Sequence, residues 1–197
     1  MEKIKIDKKS ALIIVDVQND FLPGGALPVP KGDEVIPALN EYIKLFSKVG
    51  APIFATRDWH PLNHISFNTQ GGIWPPHCIQ NSKGAEFPLS LKLPENVIVI
   101  SKATNPNVEV YSGFEETDLN MKLKELGIKK VFIGGLATDY CVKNTVLDAL
   151  KKSFKTFFLE DASRGVNLKP EDSEDAIKEM VSKGALKIKI FKLTLEV

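Results

Sequence analysis

The stretch Asp58-Trp59-His60-Pro61-Leu62-Asn63-His64 puts a carboxylate, an indole and two imidazoles into seven positions. The chain holds only three histidines, and the third, His77, lies thirteen residues past His64. Neutral imidazole and carboxylate are the usual ligands for Zn, Fe or Mn, so this concentration points to a metal site. The competing explanation is a solvated Asp–His pair on a surface loop. A second set of reactive residues lies elsewhere in the chain. Cys141 falls near the start of a predicted helix, where Thr138 or Asp139 would cap and backbone N–H groups would lower a thiol's pKa. A Lys102 ammonium nearby would lower it further, and Asp16 could take the thiol proton and later return it. A free cysteine is commonly just a small buried hydrophobe. No histidine lies in that part of the chain, so a papain-like Cys–His pair is not suggested.

What positions these residues is legible in the apolar runs. Residues 11–17, 51–57, 97–101, 129–135, 155–160 and 186–190 read as strands. The first five are near-continuous in Val, Ile and Phe, as expected of strands covered on both faces. Between them, Val35, Leu39, Tyr42, Ile43 and Phe46 follow helical spacing, with Asp33 the expected N-cap and Gly50 the stop. Val142, Val146, Ala149 and Leu150 mark a second helix, ending in Lys151 and Lys152, which suit the negative end of its dipole. Ala176, Ile177, Met180 and Val181 mark a third, between Pro170 and Gly184. Alternating strand and helix predicts an α/β fold: a three-layer α/β/α sandwich around a mainly parallel, doubly wound sheet of about six strands. The 197 residues fit a single domain, 1–197, with no internal repeat.

In open parallel sheets, ligands bind beyond the carboxyl ends of the strands. Asp16, Asp58, Lys102 and the segment Leu136–Cys141 all fall there. Taken singly, each has an ordinary structural explanation, a helix cap or a solvated charge. Together they span the usual reaction roles on one sheet edge and favour a catalytic site. Residues 18–32 and 58–96 lack periodicity and are rich in Pro, Gly and aromatics, so they read as loops that build the site.

Bulk properties exclude other classes. With 26 basic and 25 acidic side chains, the net charge of +1 gives no reason to expect nucleic acid or a membrane surface. The charged N-terminal residues precede too short an apolar run for a signal peptide or a span. Cys78 and Cys141 lack C-x-x-C spacing, which predicts free thiols and a cytoplasmic location. The oligomeric state is left open, a homo-oligomer included. So is the segment from Lys187 onward, which could add an edge strand, form a dimer contact or fray.

Five stretches carry a resemblance: DVQNDFLPGGALPV, RDWHPLNHISF, GGIWPPHCIQNSKGAEF, SKATNPNVEVYSGFE and GLATDYCVKNTVLDAL. In this order, across about residues 10–190, the sequence resembles the nicotinamidase family of the isochorismatase-like hydrolases. That resemblance implies hydrolysis of nicotinamide to nicotinate and ammonia, often of pyrazinamide too, within NAD salvage. It implies that Cys141 is the nucleophile, Asp16 the general acid/base and Lys102 the third member of the triad. It makes Asp58, His60 and His77 the ligands of one divalent metal ion, Zn2+ before Fe2+ or Mn2+, and leaves His64 open, with a place outside the coordination shell favoured over direct ligation. It also implies a cis Leu136–Ala137 peptide, with the Ala137 and Cys141 N–H groups as an oxyanion hole. Phe21 and Trp74 would wall a flat ring, and Tyr140 either lines the same pocket or simply packs. In this reading the metal clamps the ring nitrogen, and the thiol chemistry rests on Asp16, Lys102 and the helix start alone. Two alternatives stand beside it. One is a cysteine amidohydrolase of the same superfamily acting on a carbamoyl or ureido compound, although such relatives generally lack this metal set. The other is a catalytically silent binding protein. Isochorismatase chemistry itself uses no cysteine nucleophile.

Overall fold

The computed structural model describes residues 3–195. In chain order the elements are β1 (Ile4–Ile6), β2 (Ser10–Val15), α1 (Val35–Lys48), β3 (Ile53–Asp58), β4 (Ile98–Lys102), α2 (Leu119–Glu125), β5 (Lys130–Leu136), α3 (Lys143–Lys151), β6 (Lys155–Arg164), α4 (Asp172–Ser182), β7 (Leu186–Ile188) and β8 (Leu193–Leu195). Six parallel strands form one sheet in the order β4-β3-β2-β5-β6-β7, flanked by helices on both faces as the sequence predicts.

The central strand shows why this sequence makes a three-layer fold. All six residues of β2 are buried, and successive side chains of a strand point to opposite faces. Leu12 and Ile14 pack into one core with the α1 residues Leu39, Tyr42, Ile43 and Phe46. Ala11, Ile13 and Val15 pack into the other with Leu119, Leu123, Val146 and Met180 from α2, α3 and α4. The chain winds outward from β2 through β3 to β4, then restarts on the other side of β2 at β5. The carboxyl ends of β2 and β5 therefore flank the switch point, where open α/β sheets form a crevice.

Several local expectations are corrected. Asp33 does not cap α1: it lies in a 3-10 turn, Gly32–Glu34, and the helix starts at Val35 without a side-chain cap. Gly50, at φ +65, follows the helix as expected. The helix α2 is not anticipated, because seven residues with two buried leucines, Leu119 and Leu123, give too short a pattern. The C-terminal segment adds strands: β7 extends the edge of the sheet beside β6, and β8 pairs with β1 in a separate two-stranded parallel sheet. The last two residues of that segment lie outside the described residues.

At Gly135, with φ +124, a Cβ would sit 2.1 Å from the Val15 carbonyl oxygen. Only glycine lets β5 pass so close to the end of β2, and the β5–β6 register shifts beside it, between Ile133 and Gly135. Among the described residues, no helix is long and apolar enough to cross a membrane.

Candidate active site

Three strand ends converge on one buried ammonium. β3 and β4 pair in a register that sets Asp58 opposite Lys102, and Lys102 Nζ lies 2.6 Å from Asp58 Oδ1. The same nitrogen is 3.0 Å from Asp16 Oδ2 and 3.4 Å from Cys141 Sγ. Asp16 leaves β2 with a left-handed backbone, φ 48, and accepts a 2.6 Å hydrogen bond from the Thr56 hydroxyl. Cys141 sits in a single π-helical turn, Thr138–Val142, that runs into α3. Neither expected cap forms there. Thr138 bonds the Ser163 hydroxyl instead, and the Asp139 carboxylate accepts from the N–H groups of Val166 and Asn167. The Leu136–Ala137 peptide is cis, as the resemblance implies.

The electrostatics correct the expectation of a lowered thiol pKa. Burial pushes the Cys141 thiol well above the ordinary range; Lys102 pulls it down, while Asp16 and Asp58 push it further up. The Asp16 carboxylate lies within 4.8 Å of the sulfur, in place to take its proton. Burial also raises Asp16 to about 6, against the pull of Lys102. Burial opposes the charge on Lys102 as well, but Asp16, Asp58 and Cys141 outweigh it and keep the ammonium protonated. The resting arrangement is thus a thiol, a carboxylate acceptor and a fixed cation, which suits proton transfer at the moment of attack.

Beside this group, ligand atoms of Asp58, His60 and His77 lie within 4.8 Å of one another. His60 Nδ1 donates to the His77 carbonyl at 3.0 Å, and His77 Nδ1 donates to the Pro75 carbonyl at 2.7 Å. A carbonyl can only accept, so both rings keep their protons on Nδ1 and leave an Nε2 lone pair for an ion. Burial pushes His60 down to about 4, which keeps it neutral. Two such imidazoles and a carboxylate fit a divalent metal ion. His64 is also buried, but Nε2 donates to the Val108 carbonyl at 3.1 Å and Nδ1 is taken by Ser66 at 2.7 Å. Both of its nitrogens are spent.

Metal donors and thiol group are not separate, contrary to the expectation above, because Asp58 belongs to both. A residue that the sequence analysis missed holds it in place. The buried Gln18 side chain accepts from the Asp58 N–H at 2.7 Å and donates to the Asp58 and Ala85 carbonyls at 2.8 and 3.0 Å. Two residues on, Asp20 accepts from the N–H of Cys78, next to His77, at 2.7 Å. Both sit in a quoted motif, yet nothing in spacing alone gives an amide a backbone partner forty residues away.

A cavity enclosing about 500 Å³, open mouth included, reaches Cys141, Asp58, His60 and His77. Phe21, Trp74 and Tyr140 line it, as does Ala137, so of the expected site residues only Asp16 and Lys102 stay behind its wall. Tyr140 meets Trp74 edge-on, with centroids 5.1 Å apart. Leu27, Val29, Glu109 and Tyr111 also line it and were not anticipated. Loop residues without periodicity carry no sequence signal of which way they face.

The isochorismatase domain model matches residues 10–189. The chain belongs to the isochorismatase family. The nicotinamidase of Escherichia coli K12 is 41% identical to it over 89% of this chain and 92% of that protein. A zinc complex of a pyrazinamidase from Pyrococcus horikoshii is 56% identical, with a TM-score of 0.89 over 92% of this chain and 99% of that one. A nicotinate complex from L. infantum is 34% identical, with a TM-score of 0.91 over 98% and 100%. The family resemblance read from the sequence is therefore borne out, and the observed sheet is that of an isochorismatase-like fold.

The double role of Asp58 can be tested in chelated protein. Asp58→Asn removes a carboxylate that raises the thiol pKa and competes for Lys102, so iodoacetamide should alkylate Cys141 faster at neutral pH, followed by peptide mass spectrometry. His77→Ala should leave that rate unchanged. Equal rates in wild type and Asp58→Asn would show that the two groups are uncoupled. Gln18→Ala, which frees the Asp58 backbone, should weaken metal binding roughly ten- to a hundredfold, read by competition against a chromophoric chelator.

Proposed function

We propose that the chain hydrolyses nicotinamide to nicotinate and ammonia through a thioester on Cys141. The observation that carries this reading is the shared cavity. A thiol within 4.8 Å of a carboxylate and contacted by a buried ammonium opens into the same apolar-walled space as two imidazoles whose Nδ1 atoms are engaged by carbonyls.

Cys141 Sγ attacks the carboxamide carbon as its proton passes to Asp16. The developing oxyanion is received by the N–H groups of Ala137 and Cys141; one such donor typically contributes about 3 kcal/mol. Asp16 returns the proton to nitrogen, the C–N bond breaks and ammonia leaves. A water then attacks the thioester, losing its proton to Asp16; the C–S bond breaks, nicotinate departs and the thiol is restored. Lys102 faces the charge on Asp16 and the electron-rich sulfur as it attacks, and the charge then passes to the oxygen held by the two N–H groups. Asp58, His60 and His77 would hold a divalent metal, zinc favoured over Fe2+ or Mn2+, which would supply a Lewis-acid contact for the pyridine nitrogen. Phe21, Trp74 and Tyr140 form the wall against which a flat ring stacks. Pyrazinamide keeps the ring shape and the carboxamide, so it fits the same cavity. The product belongs to NAD salvage, and a free Cys141 suits a reducing cytoplasm.

Ammonia release from nicotinamide by the purified protein, before and after chelation, tests the reading directly. Cys141→Ala should abolish release while leaving the melting temperature and metal content close to wild type. More than a small residual turnover in that variant would rule out the thioester.

Elemental analysis separates the ligand set. Replacing Asp58, His60 or His77 with Ala should strip most of the metal, whereas His64→Ala should retain it. Metal loss in the His64 variant as deep as in His60→Ala would put His64 among the ligands.

A further inference from the structure

The reaction proposed above changes the charge of what sits in the cavity, and one wall residue has the chemistry to respond. Nicotinamide enters neutral; nicotinate leaves as an anion at neutral pH. Glu109 lines the cavity while remaining exposed to solvent, which puts its carboxylate at the mouth.

That carboxylate is tethered. Tyr111 Oη donates to Glu109 Oε1 at 2.5 Å and accepts from Trp74 Nε1 at 3.1 Å. Trp74 and Tyr111 both pack against Tyr140, with centroids 5.1 and 5.6 Å away. Glu109 is therefore fixed to the aromatic wall rather than free to swing into water.

The charges inside the site make this placement consequential. Lys102 with a divalent ion outweighs Asp16 and Asp58 by one positive charge. Left alone, such a site would favour the anionic product over the neutral substrate.

We propose that Glu109 is a specificity-determining residue that disfavours the carboxylate product, and other anionic ring acids, without opposing the neutral amide. This inference rests on the amidase reading. A like charge on the wall of the same cavity, in the intermediate dielectric of its mouth, weakens anion binding roughly three- to tenfold.

The test uses the zinc-loaded full chain. Nicotinate is titrated by calorimetry into wild type, Glu109→Gln and Glu109→Lys, and the KM for nicotinamide is measured by ammonia release. Glu109→Gln keeps an acceptor for the Tyr111 hydroxyl and removes only the charge. The ratio of nicotinate Kd to nicotinamide KM should fall three- to tenfold in Glu109→Gln and further in Glu109→Lys, with the gap narrowing as salt is raised. An unchanged nicotinate Kd in Glu109→Gln would overturn the proposal. So would a parallel shift of Kd and KM, which would mark Glu109 as a support for Trp74 and nothing more. Failure of wild type to release ammonia would remove the amidase reading without touching the nicotinate titration, which reads Glu109 alone.

Discussion

A lysine ammonium cut off from water must be neutralised where it stands, because an uncompensated buried charge costs several kcal/mol. Lys102 is 1% exposed, and the rest of the site is arranged around that requirement. It needs two carboxylates within reach, and the sheet supplies them from adjacent strands. The β3–β4 register puts Asp58 across from Lys102, and the Asp16 N–H bonds the Thr56 carbonyl one strand further in. A slip of one residue in β4 would turn the lysine to the other face of the sheet. The ion cluster and the strand register therefore specify each other, and Cys141 is brought to the cluster by the turn after β5.

The backbone at these strand ends is unusual in a consistent way. Asp16, Ala103 and Cys78 adopt left-handed conformations without being glycine, at φ 48, 53 and 47. One is the general acid/base we propose, one follows Lys102 and one follows His77. Such residues cost about 1–3 kcal/mol each and persist only where surrounding contacts enforce them. Here the contacts are identifiable: Thr56 grips Asp16, and Asp20 accepts the Cys78 N–H. Each left-handed residue turns the chain sharply at the moment it leaves the sheet or the metal loop, which keeps the functional side chain at the rim of the crevice.

Long apolar runs made the sheet legible, since β2 and β5 are buried on both faces and leave little choice but a central parallel strand. The same logic failed for α2 and for β1 and β8, where three to seven residues hold too little pattern to read. Reactive side chains were visible because Asp, Lys, Cys and His at strand ends are uncommon, and the ordered motifs bound them to one family. Their supports were not visible. Gln18 acts through backbone partners near residues 58 and 85, and the facing of Glu109 and Tyr111 depends on a loop without periodicity. The thiol's protonation state was misread for a related reason. A helix start and a nearby lysine are sequence features, whereas the burial that outweighs them is a property of the packed fold.

That burial changes how the nucleophile we propose has to work. A thiolate formed in advance would need its negative charge stabilised in a pocket already holding Asp16 and Asp58, and burial together with those carboxylates pushes the thiol pKa up. Attack and proton transfer to Asp16 must then be closely linked, which suits an acceptor whose pKa, about 6, lies near neutral pH. Lys102 makes the transfer inexpensive. Its nitrogen is 3.0 Å from the carboxylate that carries the charge before transfer and 3.4 Å from the sulfur across which that charge passes to the substrate oxygen. The cation does not have to move as the charge crosses, and a dipole or charge already in place for both states is the form of stabilisation that requires no reorganisation. Asp58, by holding the third side of the same ammonium, fixes that position and ties it to the metal donors. The geometry we propose for binding the ring and the geometry we propose for activating the sulfur thus meet in one nitrogen atom.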